Sequence, residues 1–304
     1  MAALCLLPLA SCQKEMPGRL DGMYSSAPSS ETASADPAEI QSDTLPESPS
    51  VTVKTPSFRS GKYRMASTAV YEQFLRSGAS VAAHIKRTQT YTYDIALTVG
   101  KDGAMKAVYT FRRVRMTYED SETYTMDTDD KQGRDDESAA FYDLIGQSVT
   151  VNVAGDGKPT VSGVDKLHKK VPAAKDIVTA DNMKEVAADL FYPIADKTLT
   201  VGSSWQLTQS GIVNTYTVSK CADSGIVVTI AGGALTVPEP FTVDDIRYTY
   251  QECAPLSGSL VMDATDRAVQ EQSSYQANQG TADYNGKTYA FQEISSSVCT
   301  IEKR

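Results

Sequence analysis

Residues 81–103, VAAHIKRTQTYTYDIALTVGKDG, decide the fold class. Val81, Ala83, Ile85, Arg87, Gln89, Tyr91, Tyr93, Ile95, Leu97 and Val99 form one alternating set. His84, Lys86, Thr88, Thr90, Thr92, Asp94 and Thr98 form most of the other. Successive strand side chains point to opposite faces, so a period of two held this long, rich in Thr and Tyr, reads as a long antiparallel strand with one face covered. Asp102-Gly103 is a strong hairpin signal. Residues 104–118 then return as a second long strand carrying Tyr109, Phe111, Val114 and Met116.

Working outward, residues 61–75 suit two readings. Val70, Tyr71, Phe74 and Leu75 would make a helix face; Tyr63, Met65, Ser67 and Ala69 alternate as in a strand. The Ser77-Gly78 turn selects the strand. The acidic stretch 119–137 resembles a calcium loop only at Asp127 and Asp129. Lys131 stands at the fifth ligand position and Ser138 where a bidentate Glu is needed, so it reads as a solvated loop. Residues 141–145 read as a helical turn, 148–153 and 160–164 as strands around Gly155-Asp156-Gly157, and Asp165 and Asp181 as helix N-caps. Met183, Val186, Ala187, Leu190 and Phe191 recur at helical spacing, which predicts an amphipathic helix covered by the sheet and ended by Pro193.

The last third reads as strands at 205–208, 214–219, 226–231, 246–252, 256–263, 268–275 and 288–301, with turns at Thr265-Asp266-Arg267 and Asn285-Gly286. The expected class is therefore mainly β (α+β): a large curved antiparallel sheet, or an incompletely closed barrel, with two or three covering helices.

The N-terminal 56 residues are of another kind. An apolar run over residues 2–9 is too short to span a bilayer and ends in Leu9-Ala10-Ser11-Cys12, which resembles a bacterial lipobox. On that resemblance residues 1–11 are a lipoprotein signal peptide, and Cys12 becomes the acylated N-terminus that holds the chain in the bilayer outside the cytoplasm. The run has no Lys or Arg, a departure from the basic start of such signals. Residues 13–56 hold Pro17, Pro28, Pro37, Pro46, Pro49 and Pro56 among Ser, Thr, Ala and acidic residues. With no apolar period they read, together with Cys12, as a disordered tether (12–56) ahead of a single β-rich domain (57–304).

Several runs, taken in order, resemble a bacterial lipoprotein family known only as a domain of unknown function. They are Tyr91-Thr92-Tyr93, Thr110-Phe111-Arg112-Arg113-Val114, Leu144-Ile145-Gly146, Val201-Gly202-Ser203-Ser204-Trp205 and Gly258-Ser259-Leu260. The mid-chain run departs twice from the family's P-x-P … V-x-x-G-D-S-W type signature: Ile194-Ala195 follows Pro193 where the second proline is usual, and Ser203 replaces the usual Asp. The resemblance implies a periplasmic or surface β-rich lipoprotein and supplies no activity. The architecture is also distantly similar to that of the LolA-like lipoprotein carriers.

Composition narrows function further. The charge of −9 without a basic block disfavours nucleic acid. Two histidines rule out a His-rich metal site, and no 18-residue apolar run offers a spanning helix. His84 and His168 read as solvated, Asp135-Asp136 and Asp244-Asp245 as solubilising charge, and no catalytic residue, metal ligand or cofactor is expected. Trp205 reads as core packing or, alternatively, as a ligand platform; with Leu190 and Phe191 it is the candidate ligand-facing set. Once Cys12 is acylated, Cys221 and Cys253 form a candidate disulfide, with separate thiols as the alternative. Two functions are favoured: a non-enzymatic lipoprotein holding an apolar or amphiphilic ligand between sheet and helices, or an envelope interaction or structural module; a hydrolase is the less favoured third and would need a buried cluster of carboxylates facing a cleft.

Overall fold

The computed structural model describes residues 53–54, 58–154, 159–192, 194–209, 212–243 and 245–304. In chain order these form β1 (Val53–Lys54), β2 (Gly61–Ser77), β3 (Ser80–Val99), β4 (Met105–Glu119), β5 (Thr123–Asp127), α1 (Ala139–Leu144), β6 (Ser148–Val153), β7 (Pro159–Ser162), α2 (Val164–Lys170), α3 (Ala180–Leu190) and β8 (Ile194–Ala195). There follow β9 (Ser204–Gln209), β10 (Ile212–Ala222), β11 (Gly225–Ala231), β12 (Phe241–Val243), β13 (Ile246–Cys253), β14 (Ser257–Met262), β15 (Val269–Tyr284) and β16 (Lys287–Lys303). The signal peptide, the lipobox with Cys12, nearly all of the tether, the Gly155-Asp156-Gly157 turn, Pro193 and Asp244 lie outside the described residues.

The mainly β expectation holds. Fourteen strands share one antiparallel sheet with the path β7-β6-β4-β3-β2-β16-β15-β14-β11-β10-β9, and it does not close into a barrel. β5 pairs with β4, β13 pairs with β15, and β12 pairs with β13. A separate two-stranded pairing joins β1, inside the span read as tether, to β8.

The decisive stretch forms β3, and its odd-numbered set turns inward: Tyr91, Tyr93, Ile95 and Leu97 are buried while their even neighbours are not. The same parity on β2 confirms the strand reading of residues 61–75: Met65 pairs with Tyr93 and Tyr63 with Ile95. At Gly103 the chain adopts φ 80°, which its lack of a Cβ allows, and the Gly103 amide donates to the Gly100 carbonyl at 3.2 Å to close the hairpin. On β4 the register slips by one residue, so that Phe111 and Val114 both point inward while Arg112 and Arg113 sit outside.

Those outward arginines correct the reading of the acidic stretch. Residues 123–127 within it form β5, while 120–122 and 128–137 are turns and loop with one 3-10 turn. Arg113 Nε donates to Asp127 Oδ1 at 2.9 Å, and Arg115 Nε lies 3.3 Å from Asp127 Oδ2. The cations hold the Asp127 carboxyl below its usual range, chiefly through the Arg113 hydrogen bond.

The three helices cover one end of the inner face. α3 buries the predicted stripe: Met183, Val186, Ala187, Leu190 and Phe191 all belong to the main core. Its N-cap is Thr179, whose hydroxyl accepts from the Asn182 amide at 3.1 Å; Asp181 sits in the first turn. Gly163 likewise precedes α2, with Asp165 in the first turn. Both expected caps therefore lie two places past the actual cap, where a carboxylate still favours the positive helix end. His168 is not solvated as expected: its Nε2–H donates to the Val178 carbonyl at 2.7 Å, joining α2 to the segment that enters α3.

Candidate functional site

The inner face of the four long central strands changes character along their length. At the helix end it is apolar, with Met65, Tyr93 and Ile301 in the main core. Beyond that, β2 presents Ser67, Ala69, Tyr71 and Gln73. Their register partners continue a polar belt across the sheet: Gln89 opposite Ala69 and Arg87 opposite Tyr71 on β3, then Ser297, Ser295 and Glu293 on β16. β15 adds Ser274, Gln276 and Asn278 opposite those three. At the far end the face turns apolar again, and Leu75, Tyr248, Ala282, Tyr289 and Phe291 form a second core beside β12 and β13.

A sheet centre is an expensive place for polar side chains unless they are hydrogen-bonded or reach water. The belt uses both means. Ser274 Oγ and Ser297 Oγ are 2.8 Å apart, and Gln89 Nε2 donates to the Tyr91 hydroxyl at 2.7 Å. Ser295, Ser297 and Gln276 are buried, whereas Tyr71, Gln89, Asn278 and Glu293 keep partial contact with solvent. The side-chain Oε1 of Gln272, at the helix end of the belt, is buried with no partner among the described residues.

Glu293 is the hub. Its Oε2 accepts from the Tyr250 hydroxyl at 2.8 Å and the Tyr71 hydroxyl at 3.3 Å, and its Oε1 accepts from Asn278 Nδ2 at 3.3 Å. The Tyr250 ring meets Phe291 edge-on at 5.0 Å and stacks with Phe241 at 5.9 Å. Burial first, and then the Glu293 carboxylate, push the Tyr71 and Tyr250 phenols well above their ordinary range. The same two causes raise the Cys253 thiol, which stands opposite Asn278 on β13. The hub can accept hydrogen bonds and attract positive charge, and an apolar cluster adjoins it.

The residues singled out from sequence are not brought together at this hub. Trp205 and Leu190 are fully buried, and Phe191 nearly so, all in the main core. Trp205 stacks on Tyr216 at 5.5 Å, and Phe191 meets Phe58 edge-on at 6.0 Å. The gap between sheet and helices, expected to hold ligand, is filled at these residues by tight apolar packing. Cys221 and Cys253 are unbridged: Cys221 is exposed on β10, its Sγ 3.6 Å from the Leu199 carbonyl oxygen, and Cys253 is half-buried on β13. His84 lies on the outer face, its Nε2 2.8 Å from Glu72 Oε1 and its ring stacked on Phe74. A separate hollow of about 360 Å³ lies between the β3–β4 hairpin and β6, lined by Met105, Val153 and Thr98 among others.

Sequence reasoning passed over the hub. The run 276–284, QANQGTADY, has the Asn, Gln and Gly of a loop, so β15 was expected to stop at Tyr275. The available signal was parity: counted back from Ile301, every second residue of β16 falls on Cys299, Ser297, Ser295 and Glu293, where an inward set should be apolar.

No family model matches the chain, and no curated protein matches it. Among solved structures, lipovitellin, in a structure titled for its lipid–protein interactions, superposes with a TM-score of 0.48 at 10% identity, covering 81% of this chain and 25% of that one. This chain thus spans about a quarter of that protein's length. DynF from the dynemicin biosynthesis pathway of Micromonospora chersina gives 0.19 at 8% identity, covering 86% of this chain and 92% of that one. A beta-barrel-like protein of a domain-of-unknown-function family from Brucella abortus gives 0.17 at 12% identity, covering 81% and 99%. Likenesses this slight carry no functional conclusion.

Proposed function

We propose that this chain is a non-enzymatic, lipid-anchored envelope protein, and that it binds an amphiphilic ligand on the uncovered part of the sheet's inner face. One observation carries the ligand reading: a partly open polar belt centred on Glu293 adjoins the apolar cluster of Leu75, Tyr248, Tyr289 and Phe291. An amphiphile matches both halves of such a surface, its polar end on the belt and its chain on the cluster. The anchor reading is supported by Leu9-Ala10-Ser11-Cys12 and the Pro-rich run behind it. Native mass spectrometry of the domain purified from its host tests the proposal. The expected spectrum contains a complex heavier than the chain by the mass of one amphiphile; bare chain alone, under conditions that preserve known lipid complexes, refutes it.

A second reading, an interaction module, is favoured by Tyr275 and Val298, which are 46% and 42% exposed on neighbouring positions of the outer face. Crosslinking in intact cells that captures a defined envelope protein through Tyr275, with no amphiphile bound to the chain, supports that reading instead.

A further inference from the structure

Glu293 is a half-buried carboxylate that has no cation against it among the described residues. A carboxylate offers about four acceptor sites. Here three donors approach, all neutral, and two of them at 3.3 Å. Arg87 shares this face but holds its guanidinium over the Tyr118 ring, 5.7 Å from its centre and turned toward β4, on the side away from β16. Partial removal of a carboxylate from water without a counter-charge is costly, and a ligand that brings positive charge recovers that cost.

The surroundings narrow the kind of cation. Tyr71 and Tyr250 reach the carboxylate through their hydroxyls, and Tyr250 is held edge-on by Phe291 and stacked by Phe241, which is 41% exposed at the rim. A single half-buried carboxylate beside an apolar rim suits a cation that carries its own apolar groups, such as an ammonium, better than a strongly hydrated one. A metal ion fits poorly, because no group of three or more His, Cys, Asp or Glu converges there among the described residues. Anions are repelled by Glu293 and by the chain's net charge of −9.

We infer that the Glu293 hub receives an ammonium group, a protonated amine or a quaternary nitrogen, as the polar end of the bound molecule. This deepens the amphiphile reading, on which it rests only for the placement of the alkyl chain. The ammonium comes either from an amphiphile's headgroup or from a small free amine, and the test separates the two.

Calorimetric titration of the domain with three probes decides: tetramethylammonium, dodecyltrimethylammonium and dodecyl maltoside, the last two below their micelle concentrations. Dodecyltrimethylammonium is expected to bind, to bind more weakly as salt is raised, and to lose at least about tenfold in affinity in Glu293→Gln, a loss of about 1.4 kcal/mol. Equal affinities of dodecyltrimethylammonium and dodecyl maltoside, both insensitive to Glu293→Gln and to salt, overturn the ammonium assignment and leave the amphiphile reading standing. Binding of tetramethylammonium that is lost in Glu293→Gln, with no gain from the dodecyl chain, supports the ammonium site and refutes the amphiphile. No binding of any probe overturns both. If Glu293→Gln does not fold, the wild-type salt dependence of the two dodecyl probes decides: a difference between them supports the site, and identical behaviour refutes it.

Discussion

Replacing Leu190 by Ala tests whether the helix end of the sheet is a packed core or a ligand cavity. The side chain is fully buried in the last turn of α3, in one cluster with Met183 and Val186. Leu→Ala removes three carbons, and at roughly 0.8 kcal/mol per buried methylene the lost transfer energy alone is about 2.4 kcal/mol. The void left behind adds to this, and leucine truncations in packed cores cost roughly 2–5 kcal/mol in total. In a domain of this size each kcal/mol lowers the melting temperature by about 2–4 °C, so a drop of at least about 5 °C is expected. The control is Lys184→Ala on the exposed face of the same helix. Its Nζ pairs at 2.8 Å with an Asp181 carboxylate that is 85% exposed, so the change should stay within about ±0.5 kcal/mol. Urea unfolding of both variants, followed by far-ultraviolet circular dichroism, reads the difference. A Leu190→Ala variant as stable as wild type would show that this stripe is not close-packed and would return the ligand to the space between helices and sheet.

Three further outcomes follow from particular contacts. A Cβ on Gly280 would collide with the Thr249 backbone carbonyl and come within 2.8 Å of the Phe291 ring, so Gly280→Ala should destabilise the domain by about 1–3 kcal/mol or more; hydrogen exchange should show β13 opening from β15. Asp127 has its folded pKa lowered by Arg113, so its contribution to stability is present above about pH 4 and is lost as pH falls through the lower folded value. Asp127→Asn should flatten the stability–pH curve in that acid window, and an unchanged curve would deny the ion pair this role. Cys12→Ser should move the chain from the membrane to the soluble fraction; membrane association that survives carbonate washing would refute the lipid anchor.

The fold was legible wherever side-chain chemistry followed the period of its element. β3, β4 and the α3 stripe alternate or recur cleanly, because each lies against the main core and needs an apolar inner set. Asn285 and Gly286 both have positive φ, as their types suggested for that hairpin. The reading failed where polar side chains or ion pairs replaced apolar burial. β5 was hidden because its stretch is acidic, and only the outward arginines of β4 make that charge acceptable beside the sheet. The second half of β15 was hidden because its inner face is a polar belt, so the apolar alternation that marks a strand is missing there. For the same reason the ligand was expected at Trp205, Leu190 and Phe191, large apolar residues that are conspicuous in sequence and buried in the structure. Glu293 stood unremarked between Gln292 and Ile294.

The central claim, that ligand occupies the uncovered part of the inner face, has a native reporter. Cys253 is half-buried opposite Asn278, beside the Glu293 hub, whereas Cys221 is exposed on β10. Alkylation of the two thiols by iodoacetamide, followed by mass spectrometry with and without dodecyltrimethylammonium below its micelle concentration, tests the claim directly. The account predicts that the amphiphile slows labelling of Cys253 severalfold and leaves Cys221 unchanged. Equal rates at Cys253 in both samples, or equal slowing of both thiols, would contradict it.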